Sequence, residues 1–247
     1  VEPDPEEAAR LRAKGHAVID KLLGAAPGRL TLRLTRKPGL SSTLEPDGAF
    51  VGFYAGASDR FAVERRLELE ASTLASEAAR LGVKPALLKI DTQGTELDVL
   101  KGLGGLRPAF VIIEVSFVPL YSGQNLAWEA CEHLRRLGYA VWDLRFGLTP
   151  APGVTRETRR RLGLPSGLPV HGDAAFMPDW TSPEGRAIIA ADPPAWAALM
   201  LVFGHEDLLR HALDAGAAPA EAAAAIKAAL EEPAPASGRG LYEPLTY

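Results

Sequence analysis

The 247-residue chain has 47% hydrophobic and 23% charged residues, a composition typical of a globular protein with one full domain and an appendage. Its 27 basic and 31 acidic residues give a net charge of −4 without any basic block, which argues against nucleic acid as the partner. The apolar runs are too short to cross a membrane. A single cysteine, Cys131, excludes an internal disulfide framework and favours the cytoplasm.

The first third of the chain is predicted to contain two helices and two strands. Residues 5–14 carry acidic side chains in the first turn and basic ones in the last, which stabilises a helix. Residues 29–36 and 67–72 alternate apolar and polar side chains, as half-buried strands do. Residues 37–60 between them are polar and glycine-containing, which predicts a loop, and residues 73–81 predict a helix.

The middle of the chain alternates short apolar runs with helical patterns. Strands are predicted at 87–90, 109–115 and 139–144, and helices at 95–101 and 127–137. This alternation is typical of βαβ units and predicts an α/β fold with a mainly parallel sheet covered by helices on both faces. After Arg145 a loop of about two dozen residues is predicted, a length usual for functional or mobile segments, and then a strand at 171–177.

The last part of the chain is predicted to be helical. Helices are expected at 195–203, 206–214 and 219–231. We therefore divide the chain into an α/β domain (1–180), a helical appendage (181–232) and a tail (233–247). The apolar side chains of the first helix recur at helical spacing, so the helices should pack on the sheet and not form a separate module. These apolar residues are Trp196, Leu199, Met200 and Phe203.

Polar side chains gather where the first strand of the alternating region gives way to a helix. Asp91, Gln93 and Glu96 lie in this turn. In an open α/β sheet, ligands bind at the carboxyl ends of the strands, so Asp91 and Gln93 are candidate functional residues. A structural alternative is that Thr92 or Thr95 caps the helix while Glu96 complements its dipole.

Two further carboxylates lie at strand ends. Glu114 interrupts an apolar run, where a desolvated charge needs a donor, a cation or a ligand. Ligand contact and pairing with Lys89 are equally supported. Glu2 precedes Pro3 at a strand-to-helix junction, which is where Rossmann-like sheets bind ribose hydroxyls, although the proline is also typical of a simple turn.

No metal site and no nucleophile are predicted. The five histidines lack the spacing of metal ligands, and Cys131 lies within a helix, which favours a buried, inert thiol. The histidines are His16, His133, His171, His205 and His211. The sequence contains neither a phosphate-binding Gly-x-x-x-x-Gly-Lys loop nor a Gly-x-Ser-x-Gly elbow.

Two runs in the middle of the chain carry a family resemblance. Residues 87–102 read Leu-Leu-Lys-Ile-Asp-Thr-Gln-Gly-Thr-Glu-Leu-Asp-Val-Leu-Lys-Gly, and residues 114–121 read Glu-Val-Ser-Phe-Val-Pro-Leu-Tyr. In this order they resemble the FkbM family of S-adenosylmethionine-dependent methyltransferases. The similarity extends to residues 39–44 and 172–176 and, more loosely, to residues 202–205. It therefore covers roughly the whole chain.

The resemblance implies a Rossmann-like class I methyltransferase sheet and O-methyl transfer from S-adenosylmethionine to a saccharide or natural-product hydroxyl. It implies that Asp91 and Glu114 are catalytic, with Asp91 preferred as the group that accepts the hydroxyl proton or orients the acceptor. Glu2, Asp91 and Gln93 would bind the cofactor. The residues expected to contact the acceptor are Ser41, Ser42, Glu96 and Tyr121.

Two departures from the family pattern leave alternatives open. The glycine-rich loop that follows the first strand in such enzymes should precede Val1, so an upstream segment is expected. The stretch expected to contact adenine, residues 22–26, is Leu-Leu-Gly-Ala-Ala and contains no acid. A non-catalytic binding or scaffolding domain is therefore the alternative to an enzyme, and a nucleotide-sugar-binding enzyme of another class is a third interpretation.

Overall fold

The computed structural model describes residues 1–54, 56–149, 161 and 168–231, which form two β-sheets and the helices around them. The predicted tail at 233–247 lies outside the described residues, and so does most of the loop predicted after Arg145. The side chains of residues 148 and 149 are also outside the description.

The smaller sheet is built from the first third of the chain. Helix α1 (Pro5–Ala13) begins at Asp4, whose carboxylate accepts hydrogen bonds from the backbone N–H groups of Glu6 and Glu7. Strand β3 pairs in parallel with β1 on one side and antiparallel with β2 on the other. The strands are β1 (Leu22–Leu23), β2 (Gly28–Thr35) and β3 (Val63–Ser72).

The segment between β2 and β3 is more structured than the predicted loop. It contains a 3₁₀ turn and two short helices, α2 (Gly48–Phe53) and α3 (Ala57–Arg60). These helices span six and four residues, which is too short to produce a recognisable amphipathic period. Their apolar side chains pack with Tyr121 in a small aromatic cluster that includes Phe50 and Phe61.

The larger sheet follows helix α4 (Leu74–Leu81), and its strand order is β4-β5-β7-β6. Its strands are β4 (Leu87–Ile90), β5 (Phe110–Ser116), β6 (Tyr139–Thr149) and β7 (Leu168–Pro178). Helix α5 (Glu96–Lys101) connects β4 to β5, and helix α6 (Ala127–Arg136) connects β5 to β6. These bounds agree with the predicted middle region to within a few residues at most ends.

The prediction of a mainly parallel sheet is wrong. Strand β4 pairs with β5 in parallel, but β7 lies between β5 and β6 and is antiparallel to both. The three strands connected by helices do share one direction, as the βαβ alternation predicts. A sequence pattern gives the direction of strands joined by crossover helices, but it does not show where a strand that follows them will insert.

Helices cover both faces of the larger sheet. On one face, α5 and α6 bury Ile113 and Leu134 in a continuous apolar core. On the other face, Phe110 and Met177 pack against Trp196, as predicted for the C-terminal helices. These helices are α7 (Pro183–Ala191), α8 (Pro193–Val202), α9 (Glu206–Asp214) and α10 (Ala220–Glu231), of which α7 was not predicted. Among the described residues, no helix has the length and apolar character to cross a bilayer.

The smaller sheet meets the larger one through a close backbone contact between two glycines. Gly24 follows β1 and donates a hydrogen bond to the carbonyl of Ser72 (3.0 Å), while Gly102 follows α5 and accepts one from Ala75 (3.0 Å). A Cβ atom at Gly102 would overlap the carbonyl oxygen of Gly24. Only glycine therefore permits this contact between the end of α5 and the end of β1.

Candidate active site

The candidate site is the turn that connects β4 to α5. Gln93 has φ of 56° and Gly94 has φ of 106°, so two successive residues adopt conformations that are unusual for L-amino acids. The left-handed region is costly for a residue with a side chain. The hydroxyl of Ser42 donates a 2.6 Å hydrogen bond to the carbonyl of Gln93 and so helps to hold this conformation.

The strained backbone places the side-chain amide of Gln93 between two carboxylates. Its Nε2 donates to Oδ1 of Asp91 (2.7 Å) and to Oε2 of Glu114 (2.8 Å). The hydroxyl of Tyr121 donates to the carbonyl of Leu40 (2.9 Å) and lies 3.3 Å from Oε1 of Gln93. The turn therefore brings together Asp91, Gln93 and Glu114, which the sequence predicted at the ends of adjacent strands.

His171 lies on the other side of Glu114. Its Nδ1 is 3.1 Å from Oε1 of this carboxylate, because β7 pairs with β5 and sets His171 opposite Ser116. The hydrogen bond to Glu114 raises the pKa of His171 above its ordinary value, and the charges of Asp173 and Asp91 add to this, against the opposing effect of burial.

From its sequence position, His171 was not a candidate site residue, because the five histidines lack the spacing of metal ligands. The contact with Glu114 arises instead from the antiparallel position of β7, which was not predicted. Two sequence signals did mark this region: the strand predicted at 171–177, which begins at His171, and the family-like run at 172–176.

Glu96 forms the inner wall of the turn and has an exposed fraction of only 7%. It accepts hydrogen bonds from the backbone N–H of Thr92 (2.8 Å) and of Gly94 (3.1 Å). Burial raises the pKa of Glu96, because desolvation outweighs these hydrogen bonds. The side chain of Thr95 makes no capping hydrogen bond to α5, so Glu96 and not Thr95 satisfies the backbone of this turn.

A cavity of about 610 Å³ opens beside the turn, between β4 and the smaller sheet. All four residues of β4 line it, together with Asp91 and Gln93. Leu22, Leu23 and Leu32 provide an apolar wall from the smaller sheet. The cavity thus combines an apolar side with a polar side at the carboxyl end of a strand, as ligand pockets commonly do.

The predicted acceptor-contacting residues fall into two groups. Ser41 lines the cavity. Ser42, Glu96 and Tyr121 are buried and hydrogen-bonded around the turn, with exposed fractions of 2%, 7% and 1%. Burial also raises the pKa of the Tyr121 phenol. Their contact with an acceptor stays a prediction, whereas their contacts with the turn are direct.

Glu2 is at the start of the chain, between two residues that line the same cavity. Its neighbours Val1 and Pro3 line the cavity, and its Oε1 accepts a hydrogen bond from the backbone N–H of Asp4 (3.0 Å). Its backbone N–H donates to the carbonyl of Ile19 (2.8 Å), which holds the start of the chain against the segment that precedes β1. The predicted role of Glu2 in ribose binding stays a prediction.

Among the described residues, Asp91, Glu96 and Glu114 can bring one carboxylate oxygen each within 4.8 Å of the others. The amide of Gln93 already donates to Asp91 and Glu114, and backbone N–H groups already donate to Glu96. We assign no metal to these carboxylates, because N–H donors occupy them. The predicted absence of a metal site stays a prediction.

A family model, the methyltransferase FkbM domain, matches residues 1–141. The chain belongs to the FkbM methyltransferase family. No curated protein and no solved structure matches it. The FkbM match contains β4, α5, β5 and α6, and with them Asp91, Gln93 and Glu114, whereas His171 lies outside the matched residues. The chain is therefore a methyltransferase with its candidate site at the carboxyl edge of β4 and β5.

Proposed function

We propose that this FkbM methyltransferase transfers a methyl group from S-adenosylmethionine to a hydroxyl of a saccharide or natural-product acceptor. One observation carries the proposal: the cavity beside β4 has Asp91 and Gln93 in its wall, at the sheet edge where α/β enzymes bind their ligands.

The residues around the cavity suit this cofactor. A volume of about 610 Å³ lies within the range of small-molecule and cofactor sites. The leucines of β1 and β2 offer an apolar surface for a base, and Glu2, between two residues that line the cavity, would accept hydrogen bonds from the ribose hydroxyls. When bound, S-adenosylmethionine supplies an electrophilic methyl group on a positively charged sulfur. The carboxylate of Asp91 would attract this charge.

Methyl transfer to oxygen depends mainly on orientation, since positioning can supply an effective molarity of up to about 10⁵ to 10⁸ M. Asp91 lines the cavity at the start of a turn whose backbone accepts a hydrogen bond from Ser42. We propose that Asp91 holds the acceptor hydroxyl near the methyl group, with Ser41 contacting the acceptor on the same wall. Glu114, which accepts a hydrogen bond from the side-chain amide of Gln93, is the second catalytic carboxylate in this proposal.

Calorimetric titration with S-adenosylhomocysteine tests the cofactor assignment. We expect the wild-type protein to bind and Glu2→Ala to bind more weakly by about 1.5 to 3 kcal/mol, the scale of hydrogen bonds to a charged group. Glu6→Ala, which removes an exposed carboxylate from the first turn of α1, is the matched control and should leave affinity unchanged.

The titration distinguishes a methyltransferase from a non-catalytic binding domain, and it tests whether Glu2 belongs to the cofactor site. Equal affinity in Glu2→Ala and wild type would remove Glu2 from the site. A wild-type protein that binds no S-adenosylhomocysteine would contradict the cofactor proposal and favour a non-catalytic binding domain.

A further inference from the structure

We propose that His171, held by Glu114, accepts the proton that the acceptor hydroxyl loses during methyl transfer. This inference rests on the proposed function, and it assigns the proton to a residue outside the matched family domain.

The tautomer of His171 follows from its hydrogen bond. Nδ1 faces the Glu114 carboxylate at 3.1 Å, which favours the tautomer that carries its hydrogen on Nδ1 and leaves the lone pair of the neutral ring on Nε2. Nε2 makes no hydrogen bond to any residue that the structure describes, and the side chain is 51% exposed. A basic nitrogen is thus available to a ligand at the sheet edge.

Charged groups surround His171 on three strands. Glu114 faces it from β5, Asp91 lies beyond the end of β4, and Asp173 lies on the same strand as His171.

Two cations offset part of the negative charge of these carboxylates. Lys89 on β4 pairs with Asp173, and Arg145 on β6 lies opposite Asp173 in the sheet register and pairs with Asp143. The carboxylates around His171 favour its protonated form over the neutral one.

An imidazole is better matched than a carboxylate to proton transfer near neutral pH, because general-base catalysis works best when the base has a pKa close to the working pH. The contact with Glu114 raises the pKa of His171 from the ordinary histidine value. The neutral ring is the active form, so turnover should rise with pH through this pKa.

The step balances without any further reactant. The acceptor oxygen loses its proton to Nε2 of His171, and the electron pair on that oxygen forms the new O–CH₃ bond. The S–CH₃ bond breaks, and its electron pair stays on sulfur, which becomes a neutral thioether. Glu114 balances the positive charge that the imidazole acquires, and the proton then leaves to solvent.

The test measures turnover against pH with S-adenosylmethionine labelled in the methyl group and a panel of methyl glycosides as acceptors. In His171→Asn, an amide N–H can still donate to Glu114 but no nitrogen can accept a proton. We expect turnover to fall by about 10²- to 10⁴-fold, the usual contribution of a general base, with loss of the acidic limb of the pH profile. Affinity for S-adenosylhomocysteine should not change.

Three further variants complete the design. Glu114→Gln removes the main cause of the raised pKa, so the acidic limb should move to lower pH. Asp91→Asn should lower turnover but keep the acidic limb. His211→Asn changes an exposed histidine of α9 and should behave as wild type. NMR titration of the His171 ring in wild type and Glu114→Gln measures the same shift without an acceptor.

Each result decides between the two proposals. A wild-type protein that methylates no glycoside and binds no S-adenosylhomocysteine overturns the proposed function and this inference with it. Methylation that continues in His171→Asn at the wild-type rate and pH profile overturns the inference alone. A His171 pKa that is equal in wild type and Glu114→Gln also overturns it, because Glu114 would then not act on the ring.

Discussion

Two regions of the larger sheet show opposite kinds of organisation. At the carboxyl ends of β4 and β5, Asp91, Gln93 and Glu114 form a chain of directed hydrogen bonds at the surface. On the face covered by the C-terminal helices, Phe110 and Trp196 are fully buried among apolar side chains. The first region fixes the positions of a few polar atoms, whereas the second removes a large apolar surface from water.

The apolar region even tolerates unpaired polar atoms. Nε1 of Trp196, Nε1 of Trp142 and Nε2 of His205 are buried and have no hydrogen-bond partner among the residues that the structure describes. Such atoms are costly to desolvate, but the aromatic contacts around them are extensive. Phe203 stacks on Phe110 with a centroid separation of 5.3 Å and packs against Trp142 at 5.4 Å. The residues that stabilise the fold and the residues of the candidate site therefore lie in different parts of the larger sheet.

The largest expected effect on stability lies in the apolar region. Trp196→Ala leaves a large cavity under α8, and truncations of this size cost about 3 to 5 kcal/mol. Trp128, at 59% exposed, provides the matched control, and Trp128→Ala should change stability by less than about 0.5 kcal/mol. Denaturant unfolding measures the free energy of unfolding of both variants. If Trp196→Ala also weakened S-adenosylhomocysteine binding at temperatures where it is folded, the separation of the two regions would fail.

An intermediate effect is expected where the backbone of the turn is most constrained. Gly94→Ala would combine a φ of 106° with a Cβ only 3.0 Å from Cδ2 of Tyr121. Strain of this kind costs about 1 to 3 kcal/mol. In Gly105→Ala nothing lies within 4 Å of the new Cβ, so its thermal unfolding should match or exceed that of wild type. Equal melting temperatures for both variants would show that the turn is not rigid.

The smallest effect concerns one hydrogen bond of the polar region. Tyr121→Phe removes the donor to Leu40 but leaves the packed ring, so about 0.5 to 1.5 kcal/mol of stability should be lost. Tyr54→Phe is the control, because the Tyr54 hydroxyl makes no hydrogen bond to a described residue. Urea unfolding of the two variants compares them directly. A larger loss in Tyr54→Phe would contradict the assignment of Tyr121 as the residue that supports Gln93.

Local patterns account for the parts of the fold that the sequence predicted well. The strand at β4 is a short apolar run, and the helices at α5 and α6 follow a helical pattern, so their positions follow from neighbouring residues alone. Helices α2, α3 and α7 were missed because they are short or lack a sharp amphipathic period. The antiparallel insertion of β7 depends on contacts between distant segments, which no local pattern contains.

The candidate site, like the fold, could be predicted from the sequence only where it depends on local patterns. Asp91 and Glu114 were predicted at the carboxyl edge of two strands of the sheet, and the structure shows that the amide of Gln93 donates a hydrogen bond to each of them. The contact between His171 and Glu114 could not be derived, since it requires the position of β7. The left-handed conformation of Gln93 was equally hidden, because nothing in its residue type calls for a positive φ.

The contact between Gly24 and Gly102 has a consequence for ligand size. Gly102 follows α5 and Gly24 follows β1, so this contact holds the smaller sheet close to α5, the helix that follows β4. Any side chain at Gly102 would press on the carbonyl of Gly24 and move the leucine wall outward. The absence of a Cβ atom at Gly102 thus allows the end of β1, which carries Leu22 and Leu23 of the cavity wall, to lie against the end of α5. A single residue outside the cavity thereby limits which molecules can fit into it.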